Sequence, residues 1–184
     1  MTVACFASPE VMPTNIEIKA VVRDWDQTCK RAASLSDVPL EILNQEDTFF
    51  NCITGRLKLR QFSSQRGELI AYQRDDVAGT KSSRYLITRT AEPETLRHVL
   101  ANSLGIVGTV KKQRHLYLHG QTRIHLDKVE YLGTFLELEV VMKPDQPLAE
   151  GEQMVRDLME KLEIRPEELV AGAYMDFILK KNAS

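Results

Sequence analysis

Residues 15–19 read Asn-Ile-Glu-Ile-Lys, and residues 135–139 read Phe-Leu-Glu-Leu-Glu. In both, polar and apolar side chains alternate, which is the period of a strand with one buried and one polar face. A half-exposed strand more often carries Thr or Ser at the polar positions. Here they hold Glu17, Lys19, Glu137 and Glu139. Between the two segments the polar face turns basic, as Arg56, Lys58 and Arg60 on alternate positions and then as Lys112 and Arg114. Like charges so close repel, so that spacing is favourable mainly when an anion or facing carboxylates lie between them. Arg forks match phosphate oxygens and Lys adds point charge. Mg²⁺ uses one or two carboxylates and leaves its other positions to water and phosphate oxygens. The pattern therefore points to a polyanion held together with a divalent metal.

These side chains need strands to hold them. Residues 15–22 read as a strand, and Asp24 is an N-cap for a helix over 25–35 with Trp25, Cys29, Ala32 and Ala33 on its apolar face. Pro39 breaks the pattern, and strands follow at 41–51, 56–62, 68–74 and 83–90, with turns at Thr54-Gly55 and 63–67. Glu92, Pro93 and Glu94 open a helix that runs to Leu104, where Gly105 ends it. Strands at 110–118 and 122–131 form a hairpin around His119, Gly120 and Gln121, and a last strand covers 135–142. Helices follow at 148–163, from Pro166, and at 173–179. Eight antiparallel strands with helices outside is an α+β arrangement. Closed on itself, the sheet is an eight-stranded antiparallel β-barrel, without edges, whose polar face lines a lumen. Residues 14–180 form one domain behind a loose extension at 1–13.

At 184 residues, 43% hydrophobic and 27% charged, the chain suits one soluble globular core. A formal net charge of −2 argues against a general nucleic-acid binder, so any basic site is local and offset by acids elsewhere. Three cysteines fit neither a disulfide framework nor a zinc spacing. No apolar run reaches the length of a membrane span, and residues 1–13 lack the form of a secretory signal. A cytoplasmic location is the expectation.

Taken in order, Glu17-x-Lys19, residues 55–60 (Gly-Arg-Leu-Lys-Leu-Arg), Lys112-x-Arg114 and the block from Asp127 through Glu130, Gly133, Glu137 and Glu139 resemble the CYTH superfamily of triphosphate tunnel metalloenzymes. Residues 47–51 (Asp-Thr-Phe-Phe-Asn) and Tyr174-x-Asp176 resemble its class IV adenylyl cyclase branch most. The resemblance implies a tunnel that acts on a triphosphate such as tripolyphosphate or ATP, with Mg²⁺ or Mn²⁺, by hydrolysis or by cyclisation. It implies Glu17, Glu137 and Glu139 as catalytic acids and metal ligands, with Asp127 a further ligand. Lys19, Arg56, Lys58, Arg60, Arg84, Lys112, Arg114 and Arg123 are implied as substrate-binding cations. Two departures stand out. Asn15 replaces the first Glu of the family's Glu-x-Glu-x-Lys signature, which keeps an oxygen donor but removes a charge. Phe49 and Phe50 stand where thiamine triphosphatase-like members carry a Tyr.

Other tempting residues read as ordinary structure. His115, His119 and His125 match no standard zinc spacing and are read as polar members of a hairpin. Tyr72 and Tyr85 are read as packing, Cys52 as inert, and Gly105-x-x-Gly108 as too short for a phosphate loop. No aromatic interleaves the cations of residues 56–60, as a single-stranded nucleic-acid surface would favour. The rival from another class is a non-catalytic polyphosphate or nucleotide binder on the same fold, kept in view by Asn15. Outward apolar strand residues serve either helix packing or a homodimer.

Overall fold

The computed structural model describes residues 12–182, so most of the expected N-terminal extension lies outside the described residues. The strands are β1 (Thr14–Val21), β2 (Glu41–Phe50), β3 (Arg56–Ser63), β4 (Arg66–Arg74), β5 (Lys81–Thr90), β6 (Ile106–His119), β7 (Thr122–Val129) and β8 (Gly133–Val141). They close into an antiparallel barrel in the order β1-β5-β4-β3-β2-β6-β7-β8, as the alternating pattern requires. Among the described residues, four helices lie outside it: α1 (Trp25–Leu35), α2 (Pro93–Leu104), α3 (Leu148–Leu162) and α4 (Tyr174–Asn182). Among the described residues, no helix is long and apolar enough to cross a membrane.

The helix boundaries follow local chemistry. Asp24 caps α1 by accepting from the Gln27 amide at 3.0 Å. Pro93 starts α2, and Gly105, at φ +77°, ends it. The helix expected from Pro166 is a single 3-10 turn, Pro166–Glu168, where the Glu168 carboxylate accepts from the Arg165 amide at 2.9 Å. Strand β6 starts four residues before its expected position, because Ile106 and Val107 carry no alternation to reveal them. A register shift opposite Phe49 and Phe50 accommodates the extra length.

Period two separates two interiors. One side of β1, β7 and β8 presents Ile16, Ile18, Ala20, Ile124, Leu126, Leu136, Leu138 and Val140 to α1 and α3, which contribute Ala32, Val155, Leu158 and Leu162. This is the main hydrophobic core, and it lies outside the barrel wall. The opposite side faces the lumen and carries the charges. A second cluster, Phe49, Val110, Val129, Phe135, Tyr174 and Met175, forms an apolar floor across one end of the barrel. Gly108 permits that closure, since a Cβ there would stand 2.7 Å from Met175 Sδ.

Candidate functional site

The lumen is a cavity of about 550 Å³. Strand parity turns Asn15, Glu17 and Lys19 of β1 inward, with Lys58 and Arg60 of β3, Lys112 and Arg114 of β6, Arg123 and His125 of β7, and Glu137 and Glu139 of β8. Among the described residues, nine Lys or Arg side chains line it against six carboxylates, so the cavity is positive although the chain is slightly acidic. An anion, not a cation alone, is what this imbalance favours.

Ion pairs organise the walls. Asp47, 2% exposed, sits among three cations. It accepts from Lys58 Nζ at 3.0 Å, Arg60 Nε at 2.9 Å and Nη2 at 3.0 Å, and Lys112 Nζ at 3.0 Å. Across the lumen Glu137 accepts from Lys19 Nζ at 2.5 Å and Arg114 Nη2 at 3.0 Å. Arg114 also forks onto Asp127 at 2.7 and 2.6 Å, and Tyr174 Oη donates to the same carboxylate at 2.9 Å. Nearer the mouth, Glu17 accepts from Arg74 at 2.6 Å and Glu139 from Arg123 at 2.9 Å. Rings from α4 and β4 border the cations: Lys19 Nζ lies 4.1 Å from the Tyr174 centroid, and Lys58 Nζ lies 5.5 Å from that of Tyr72.

Burial and crowding shift the charges. Burial alone would raise Asp47, but Arg60, Lys112 and Lys58 together hold it well below the usual carboxylate range. Burial, reinforced by the Arg60 charge, lowers Lys58 to about 8. Burial lowers Lys112 to about 7 despite Asp47. Lys81 falls to about 8 through burial and Arg74, and its Nζ is buried with no hydrogen-bond partner. Glu17 is raised by burial and by the Glu137 charge, whereas the charges of Lys19 and Arg114 overcome burial to hold Glu137 well below its ordinary value. Burial and the Arg114 charge lower His125.

The cations expected from sequence divide into three groups. Lys19, Lys58, Arg60, Lys112, Arg114 and Arg123 line the lumen together with Glu17, Glu137 and Glu139. Arg84 does not: its neighbours Ser83 and Tyr85 face inward, so Arg84 stands exposed on the outer surface. Arg56 lies outside the lumen lining, where its guanidinium bridges Asp76 at 2.6 Å and Asp176 of α4 at 2.9 Å. Asp127 is fully buried behind Arg114 and Tyr174, a position suited to aligning Arg114 rather than meeting an ion in the cavity. Sequence reasoning missed Arg74 and Lys81, and it named Asp47, His125 and Tyr174 without assigning them to the site. Inward parity on strands β2, β4 and β7 was the available signal for Asp47, Arg74 and His125. Tyr72 and Tyr85, read as packing, also face the lumen.

Fitness for a divalent metal rests on the donors present. One ligand atom each from His125, Glu137 and Glu139 lies within 4.8 Å of the others. Two donors on one ion at about 2.0–2.2 Å lie at most about 4.4 Å apart, so a small contraction closes this set around a metal. Asn15 Oδ1 and His125 Nδ1 are both buried without a hydrogen-bond partner. Buried orphan lone pairs are costly, and a cation would satisfy them. The donor set fits.

A closed antiparallel barrel with its charges turned inward defines a class of protein whose polar site lies within the barrel rather than on a face. The chain matches the CYTH domain over residues 13–174 and belongs to that family. Among solved structures it is similar to the PH1012 protein of Pyrococcus horikoshii, at 22% identity and a TM-score of 0.76, covering 88% of this chain and 98% of that one. It is also similar to a Vibrio parahaemolyticus protein with a provisional adenylate cyclase assignment, at 18% identity and a TM-score of 0.72, covering 90% and 97%. A third is HpAC1 of Hippeastrum, an adenylyl cyclase candidate reported to have a dominant triphosphatase activity, at 13% identity and a TM-score of 0.59, covering 92% and 96%. At these identities the likeness is one of fold. No curated protein matches the sequence.

Proposed function

We propose that the protein is a divalent-metal-dependent enzyme acting on a triphosphate, either tripolyphosphate or a nucleoside triphosphate, inside the barrel. The carrying observation is the facing of two walls: Lys58, Arg60 and Lys112 gathered on Asp47, opposite the His125, Glu137 and Glu139 donors. Family membership and the reported triphosphatase activity of HpAC1 support the substrate class.

In this reading a triphosphate displaces the carboxylate partners of the wall cations. Lys58, Arg60 and Lys112 then exchange part of their bonding to Asp47 for phosphate oxygens, and Lys19 and Arg114 do the same from the Glu137 side. Fixed cations in a confined site stabilise charge as it moves onto the leaving phosphate, which is the main requirement of phosphoryl transfer. Mg²⁺ or Mn²⁺, when held by Glu137 and Glu139 with Glu17 nearby, would supply Lewis-acid stabilisation of phosphate oxygens. Asp127 and Tyr174 keep the Arg114 fork aligned.

Product analysis tests the reading: pure protein is incubated with tripolyphosphate or ATP, with Mg²⁺ and Mn²⁺ in turn. Orthophosphate abolished by Glu139→Gln supports hydrolysis, and cyclic AMP with pyrophosphate supports cyclisation. The second reading is a non-catalytic triphosphate binder, favoured by the ion pairing of Glu17, Glu137 and Glu139 to cations. No turnover, with clear binding by calorimetry that needs no metal, selects the binder.

A further inference from the structure

We infer that His125 is a metal ligand, and that it makes the lumen centre a mixed nitrogen–oxygen site favouring Mn²⁺ and neighbouring transition ions over Mg²⁺. The inference rests on the metal-dependent reading above and deepens it. His125 is 3% exposed and projects from β7 into the cavity lining. Its Nδ1 lies 3.6 Å from Glu137 Oε2 and 3.7 Å from Glu139 Oε1, too far for a hydrogen bond to either. A buried ring nitrogen spaced in this way from two carboxylates lacks what a cation between them would provide. Strand register supports it independently: His125 pairs with Glu137 across β7 and β8, and Glu139 is paired on its other side with Glu17 of β1. The three strands thus bring one imidazole and three carboxylates to one wall.

The donor types decide the metal. Asn15, a neutral amide with an unpartnered Oδ1, contributes no charge on β1. Glu137 and Glu139 already share their charge with Lys19, Arg114 and Arg123. A hard ion such as Mg²⁺, which prefers charged or carbonyl oxygens and gives up water reluctantly, gains little from an imidazole. Mn²⁺ and the ions that follow it in affinity bind imidazole better, Co²⁺ and Zn²⁺ more strongly still.

Electron spin-echo measurements on the Mn²⁺-loaded full chain, with and without tripolyphosphate, provide the test. The expected result is ¹⁴N modulation from a coordinated ring nitrogen, lost in His125→Gln. Equilibrium titration should show Mn²⁺ affinity falling at least about tenfold in that variant, with Mg²⁺ affinity changing less than about threefold. His125→Asn provides a second, smaller replacement should the first fail to fold. Bound Mn²⁺ that is lost in Glu139→Gln yet shows no ¹⁴N modulation in the unaltered protein overturns the inference, as does modulation that survives both His125 replacements. Nitrogen-coupled Mn²⁺ without turnover of any triphosphate would sink the enzymatic reading and leave this one standing. Turnover with Mg²⁺ preferred and no nitrogen coupling would do the reverse.

Discussion

Asp47 shows how a single carboxylate can hold a cationic wall together. Three cations converge on it within 3.0 Å, and it is almost fully buried. Removing one partner of a buried ion pair leaves the rest uncompensated, so Asp47→Asn should cost about 3 kcal/mol of stability. The same change leaves Lys58, Arg60 and Lys112 needing an anion, so tripolyphosphate should raise the melting temperature more in the variant than in the parent. Thermal melts with and without tripolyphosphate check both, and an equal shift in the two proteins would contradict this role. Asp47 was present in the residues that carried the family resemblance, but nothing in a linear reading showed three cations folding onto it. Arg84 was misplaced for a related reason. A shift of one strand position exchanges lumen for solvent, and its neighbours Ser83 and Tyr85 gave no hydrophobic cue to parity. Glu17, Glu137 and Glu139 were legible because Ile16, Ile18, Leu136 and Leu138 alternate with them and fix the buried face.

At the scale of elements, β3 and β6 carry lysines that hold their protons weakly. Lys58 is lowered to about 8, and Lys112 to about 7, chiefly by burial. In the unfolded chain each returns to about 10.4. Between about pH 7 and pH 10 the unfolded chain therefore binds more protons than the folded one, and the stability of the free protein rises with pH across that window. A bound polyanion favours the charged lysines and reverses the trend. Binding ATP at pH 8, where its phosphates are already ionised, should draw protons from solution. Calorimetry in buffers of different ionisation enthalpy measures that uptake, and Lys112→Met should reduce it. Heats that do not vary with buffer would count against shifted lysines. Arg56 belongs to the same scale, since it ties β3 to α4 through Asp176. Arg56→Ala should release about 1 kcal/mol of tethering, and hydrogen exchange should show faster opening of the α4 amides with little change in β7 and β8. The elements themselves were largely legible. Every strand and helix lies near its expected place, and the exceptions have physical causes: the unpatterned start of β6 and the single turn after Pro166. How α4 would close one end of the barrel was not legible, because Tyr174 and Met175 reach their partners only through tertiary packing.

The molecule as a whole separates its charge. It is slightly acidic overall, but its lumen carries an excess of cations, and Arg66 and Arg89 stand exposed at the cavity edge. An arriving polyanion feels these arginines at a distance where salt screens strongly, whereas the held state lies mostly out of reach of the ions. Raising NaCl from 50 to 500 mM should therefore slow tripolyphosphate association more than it speeds dissociation. Arg66→Glu with Arg89→Glu should lower the association rate roughly three- to tenfold. Stopped-flow measurements separate the two rates, and an effect confined to dissociation would contradict steering by the rim.

The floor formed by Phe49, Val110, Val129, Phe135, Tyr174 and Met175 carries a kinetic consequence. On the proposed function, an apolar floor at that end makes the arginine-rimmed end the way in and the way out, so a spent fragment lingering inside should block the next arrival. Under the same proposal, longer polyphosphates should be trimmed from the tip that reaches the floor rather than cut at intervals. Leftover anions should therefore act as stoppers, competing with fresh material in proportion to how tightly the wall cations grip them.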